Sequence, residues 1–262
     1  MTAAEIAHLR ERGPGRGLRV AVVETAAGPV VVKAQRRARS VWRGRAVNVL
    51  ARTFGLGLLQ AVPAHGGAAA QAIEVERLGR LRTAGVKVPR VLRVEPDFIV
   101  LEHVAGPSLV DVIQARPADL QPWARGLAAV VDVHVRGAYL SQAFARNVLV
   151  AADGSLVMID FEDDPLEVMT LDQAQARDWL TYLHSTLWLL RAPAERLRTI
   201  VAEQLGRERP AVRAEVERAG RRLAVLRLLP GGRRPWGREV VGARALADLF
   251  HSSGASQARA ST

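Results

Sequence analysis

The chain has 262 residues, 49% of them hydrophobic, enough to bury the core of one large domain or of two tightly coupled lobes. It contains no cysteine, which excludes disulfides, thiolate metal sites and cysteine nucleophiles and fits a reducing cytoplasm. Its 37 Lys and Arg, nearly all Arg, stand against 26 acids. The resulting charge of +11 attracts polyanions such as nucleic acid, anionic lipid or a phosphorylated substrate, unless it reflects genome base bias alone.

In chain order, Met1 to Arg12 holds no apolar run long enough for a signal-peptide core, so export is not expected. Leu18 to Gln35 reads as two β-branched runs around Thr25-Ala-Ala-Gly28, an antiparallel hairpin whose second strand carries Lys33 near its end. Residues 36 to 70 break this pattern. Arg36, Arg37, Arg39, Arg43, Arg45 and Arg52, set among Trp42, Leu50 and Phe54, predict a basic amphipathic helix and a Gly/Ala-rich connection. Ala72 to Ala84 predicts a helix capped at Gly85, and Val86 to Val94 and Phe98 to Leu101 predict short strands around a Glu-Pro-Asp turn.

Beyond Gly106 the pattern becomes helical, over Ser108 to Gln114, Gln121 to Val135 and several segments from Leu171 to Phe250. One predicted strand pair interrupts it: Asn147 to Val150 and Leu156 to Ile159, joined by Ala-Ala-Asp-Gly-Ser. The tail from Ser252 is small and polar enough to be disordered. The weakly polar stretches Phe54 to Ala72 and Trp179 to Leu190 fall short of the roughly 20 apolar residues a membrane span needs. The outline is α+β, with a β-rich first part and a helical second part.

The strongest chemical signal is the second hairpin. It sets Asn147 and Asp160 at its mouth, where an amide oxygen and a carboxylate can reach one hard divalent cation, although ordinary turn chemistry uses the same residues. A strand with Lys33, a helix with Glu74, a strand pair ending in Leu101-Glu-His-Val-Ala-Gly-Pro-Ser-Leu109, and then this hairpin resemble, in order and spacing, the protein-kinase-like superfamily from Leu18 to about Trp188. Within it, Glu74-Val-Glu-Arg-Leu78 followed by Ala-Gly-Val-Lys-Val-Pro89 looks most like the bacterial kinases of Kdo or heptose in lipopolysaccharide, and like RIO kinases.

The resemblance implies a two-lobed fold with an N-lobe over 1–103 and a helical C-lobe over 104–262, whose catalytic-loop and metal hairpin spans 134–165. It implies ATP and Mg2+ as ligands. Lys33 would hold the α and β phosphates and Glu74, with Glu76 as competitor, would fix Lys33. Asn147 and Asp160 would hold magnesium, and Glu102 to Val104 would form the adenine-reading hinge. Gly13-Pro-Gly-Arg-Gly17 stands where kinases carry a phosphate-covering loop, yet Pro14 removes one donor.

Gln142 occupies the place where this superfamily carries its catalytic Asp, five positions before the metal-binding Asn. Glutamine can orient a hydroxyl but cannot accept its proton. Asp163 or Asp164 could supply a carboxylate instead, though capping the segment before Pro165 is the favoured reading of both. Glu162 replaces the glycine of the usual Asp-Phe-Gly, as in related small-molecule kinases. Asp178 resembles the buried helix aspartate that braces the catalytic loop, while His134 and His184 show no metal spacing and read as packed or exposed.

Three functions follow as expectations. The first is a phosphotransferase, with Lys33, Gln142 and Asp160 in the reacting centre, acting on a hydroxyl of an anionic small molecule or lipid-linked sugar. It would be cytoplasmic, with possible peripheral contact to an anionic membrane through the basic segment. The others are a pseudokinase that binds nucleotide without turnover, and an adenylyl transferase. Nucleic-acid binding is the weakest candidate, because no recognition motif accompanies the charge.

Overall fold

The computed structural model describes residues 2–12, 19–35, 62–63, 65–228 and 237–251. The Gly13 to Gly17 loop, the basic segment Arg36 to Arg52 and the tail from Ser252 lie outside them. The chain is an α+β protein. A four-stranded antiparallel sheet, ordered β1-β2-β4-β3, comprises β1 (Val20–Thr25), β2 (Gly28–Ala34), β3 (Val91–Val94) and β4 (Phe98–Glu102). Two helices accompany it, α1 (Ala3–Arg12) and α2 (Gly67–Thr83).

The period-2 alternation of strands divides the sheet's side chains. Val30 and Val32 of β2, with Phe98 and Val100 of β4, pack with the fully buried Leu9 of α1. Ile99 and Leu101 join the main core, while Val31 and Lys33 line a cleft on that other side. Burial on both faces explains why Phe98 to Leu101 is continuously apolar. Helix α1 is an element the sequence reading treated only as a non-signal segment. Arg10 clamps it to the sheet through Asp97, with both nitrogen–oxygen distances 3.1 Å.

Helix α2 starts five residues before the predicted Ala72 and ends as expected at Gly85. The amides of Gly85 and Val86 bond to the carbonyls of Arg82 and Leu81, a Schellman closure that needs the left-handed φ of +76° at Gly85. Residues 86–90, predicted as part of a strand, are not in the ladder. Pro89 has no N–H to offer, and the carbonyl of Lys87 accepts from Met158 instead.

After β4 the chain is helical: α3 (Leu109–Ala115), α4 (Gln121–Val135), α5 (Leu171–Thr186), α6 (Ala194–Gly206), α7 (Pro210–Leu223) and α8 (Gly237–His251). A hairpin of β5 (Val148–Val150) and β6 (Leu156–Met158) lies between α4 and α5. The main apolar core runs without a break from Leu78 and Leu81 of α2 and Ile99 of β4 to Trp123 and Leu127 of α4 and Trp179 and Leu183 of α5.

Candidate active site

The four-stranded sheet, α2 and the β5–β6 hairpin meet at a cleft of about 450 Å³. Helix α2 buries Ala70, Glu74, Arg77, Leu78 and Leu81, the spacing of one helical face, and leaves Glu76 and Arg80 in solvent. Phase therefore selects Glu74 over Glu76. In β2, Lys33 sits opposite Ile99 of β4 and reaches across to α2, where its Nζ lies 2.7 Å from Glu74 Oε1. The same ammonium is 3.0 Å from Asp160 Oδ1 and 2.8 Å from Glu162 Oε1.

The β5–β6 hairpin sets the other side. The carbonyl of Asn147, just before β5, accepts from Ile159, just after β6, so Asn147 and Asp160 emerge together at its open end. The Asn147 amide nitrogen donates to the Gln142 carbonyl at 3.1 Å, leaving its Oδ1 as the available ligand atom. Asp160 likewise engages Lys33 through one oxygen. One amide and one carboxylate oxygen beside an ammonium fit a magnesium–phosphate group, because Mg2+ takes few protein ligands and leaves the rest to water and phosphate.

Among the described residues, Asp160 and Ser141 are the non-glycine residues with φ in the left-handed region, each at +70°. Such backbone costs on the order of 1–3 kcal/mol and collects at functional sites. Surrounding bonds hold it in place. Ser141 Oγ donates to the Asp163 carbonyl, the Leu140 amide donates to Asp178 at 2.6 Å, and Arg77 donates to the Tyr139 carbonyl while stacking on its ring. Asp178 is fully buried and holds the backbone of this loop at Leu140.

Of the predicted residues, Lys33, Glu74, Glu102, Val104, Asn147 and Asp160 all line the cleft. The side chain of Glu102 turns to Arg90, accepting from its backbone and guanidinium at 3.1 and 3.2 Å. Burial opposes the Glu102 charge, yet these bonds outweigh it and hold the carboxyl below its ordinary value. Gln142 is not among the lining residues; its Nε2 donates to Asp163 Oδ2 at 2.8 Å. The capping reading holds for Asp164, which accepts from Leu166, and fails for Asp163, which is buried against Gln142.

Sequence reasoning missed Arg19 and Glu162. They pair with each other, and Glu162 also contacts Lys33, so one ammonium faces three carboxylates. Burial pushes the Glu74 carboxyl above its ordinary value against the pull of Lys33. Glu162 follows β6 outside any strand, after the left-handed Asp160, so no strand period announced that it would turn to Lys33 while Phe161 enters the core. Nothing distinguished Arg19 among so many arginines. The rest of the wall is apolar, with Val20, Val31 and Leu101 from the sheet and Leu149 and Ile159 from the hairpin.

No protein-family model and no curated protein matches this chain. Among the described residues, no helix is long and apolar enough to cross a membrane.

Proposed function

We propose that the chain is a two-lobed, protein-kinase-like phosphotransferase that binds ATP with magnesium in this cleft and phosphorylates a hydroxyl of an anionic acceptor. The convergence of distant residues carries the reading: Glu74 and Asp160, far from Lys33 and from each other in sequence, both lie within 3.0 Å of the Lys33 ammonium, and Asn147 lines the same cleft. The apolar walls and the hinge at His103 and Val104 suit a flat base, and Lys33 suits its phosphates. Magnesium, when bound at Asn147 and Asp160, would neutralise phosphate charge.

In the transfer, the acceptor oxygen bonds to the γ-phosphorus as the bond to the β–γ bridging oxygen breaks and ADP leaves with its electron pair. The hydroxyl proton passes to the transferred phosphate or to water, since an amide at position 142 cannot take it. General-base help is worth about 10² to 10⁴ in rate, and positioning supplies much of the remainder, so a glutamine slows this chemistry without forbidding it. The charge of +11 favours an anionic acceptor, for which a lipopolysaccharide core sugar or another lipid-linked sugar is the proposed class.

Label from [γ-³²P]ATP incubated with purified lipid and sugar-phosphate fractions tests this, with transfer to an alkali-stable product expected. Thermal shift with Mg-ATP is the prior check, and the absence of any shift sinks the reading. A second reading, a pseudokinase, is favoured by the Gln142 amide being held on Asp163. It wins if wild type shows the Mg-ATP shift without turnover and Gln142→Asp creates turnover. Label transferred from the α position would instead mark an adenylyl transferase.

A further inference from the structure

A second cavity, of about 240 Å³, lies between α3, the loop that ends at Asn147, the end of α5 and the start of α8. It shares its framework with the cleft. Asn147 lines the cleft while its neighbour Arg146 lines the second cavity. Val104 and Leu149 line the cleft, and Ser108, bridged to Leu149, leads directly into Val110, Asp111 and Gln114 on the cavity wall. The two cavities flank one short loop, and α5 anchors that loop where Ser185 Oγ accepts from the Ala145 amide at 3.2 Å.

The chemistry of the second wall differs from that of the first. Arg146 and Arg238 contribute two guanidinium groups, and Phe144 and Trp188 contribute half-buried rings. Arg146 stacks on Phe144 at 4.1 Å and has no carboxylate partner among the described residues. Gln114 and Asp111 add groups that bind hydroxyls.

Arg238 reaches this place because α8 closes tightly on α5. A side chain at Gly242, one turn further along α8, would put its Cβ 2.6 Å from the His184 carbonyl. A glycine at that crossing lets the helices approach, and the residue four positions earlier on the same face is Arg238. A volume below the roughly 300 Å³ at which drug-sized pockets begin admits a single ring rather than a nucleotide.

We infer that this second cavity is the acceptor pocket and takes a small polyhydroxylated anion, a sugar bearing a phosphate or a carboxylate. The arginines hold the anion, Gln114 and Asp111 take hydroxyl groups, and Trp188 covers a ring face. The acceptor role rests on the phosphotransferase reading above; the binding site itself does not.

Isothermal titration of the full chain with glucose 6-phosphate, glucuronate, glucose and inorganic phosphate separates the sources of the anion. At least one of the two sugar anions is expected to bind about tenfold or more tightly than glucose and than inorganic phosphate, and Arg146→Gln and Arg238→Gln each to weaken it about tenfold, the scale of one lost charge-assisted hydrogen bond. Mg-ATP should stabilise both variants as it does wild type, which also reports that they fold. The inference is overturned if neither sugar anion binds better than glucose, if phosphate alone binds as well, or if both variants bind as wild type does. Arginine-dependent sugar-anion binding in a chain that Mg-ATP does not stabilise would uphold the site and sink the phosphotransferase reading.

Discussion

Two buried charge clusters in this protein use the same ingredients to different ends. In one, the Lys33 ammonium lies among Glu74, Asp160 and Glu162; in the other, His134 lies between Glu208 at 2.6 Å and Asp178 at 3.3 Å. Both set a basic side chain between carboxylates taken from distant elements. The first opens on a cleft, with the Asp160 side chain 36% exposed, whereas Asp178 is fully buried. An open cluster can exchange a carboxylate contact for a phosphate or a metal. A sealed one can only hold the fold, here by tying α4 and α5 to Glu208 and by carrying the Leu140 amide on Asp178.

The contrast is broken most severely by Glu208→Ala. It strips His134 of its nearest carboxylate and leaves the buried Trp179 Nε1 without its acceptor at 2.8 Å. Removing one partner of a buried pair costs about 3–5 kcal/mol, so urea unfolding should show a loss of that size. Lys33→Met comes next; it leaves the buried Glu74 and Glu162 without this cation and so also costs stability, and its distinguishing signature is a lost ligand response measured against its own unliganded state. A ligand at 100 times its Kd stabilises by about 2.7 kcal/mol, and this gain from Mg-ATP should vanish in the variant while persisting in Arg10→Gln. Equal Mg-ATP shifts in Lys33→Met and wild type would remove the distinction between the two clusters.

A smaller effect is expected from pH. Burial disfavours charge on His134, but the hydrogen bonds its ring donates to Asp178 and Glu208 outweigh it and raise its pKa above the ordinary 6.5. A cationic group whose folded pKa is raised contributes its full stability below 6.5 and loses it as pH rises through the folded value. Melting temperature should therefore fall with rising pH above 6.5, and His134→Gln should flatten that slope. The smallest change is expected from Glu76→Gln, on the solvent face of α2 and paired only with the exposed Arg80 among the described residues. Such pairs contribute about 0–1 kcal/mol, so stability and Mg-ATP response should stay close to wild type, unlike Glu74→Gln.

Much of the candidate site could be read along the chain, because each of its parts sits on an element that local pattern announces. Lys33 ends a β-branched run, Glu74 shares a helical period with Leu78 and Leu81, and Asn147 and Asp160 flank an Asp-Gly hairpin. What stayed hidden depends on approach between elements. Glu162 meets Lys33 across the cleft, Asp163 turns to Gln142 rather than capping the segment before Pro165, and Arg77 is buried under Tyr139. Local propensity carries no information on which of many arginines will meet a carboxylate across a cleft.

The sequence alone determined the α+β class and, apart from α1 and residues 86–90, the kinds and order of the described elements, since hydrophobic period and turn chemistry act over a few residues. Tertiary structure decided which charges are sealed and which are open, the left-handed backbone at Ser141 and Asp160, and the second cavity that Arg146 and Arg238 both line. These are properties of packed surfaces. They exist only once distant segments exclude water from one another, and that exclusion gives a buried charge its strength and a cleft its selectivity.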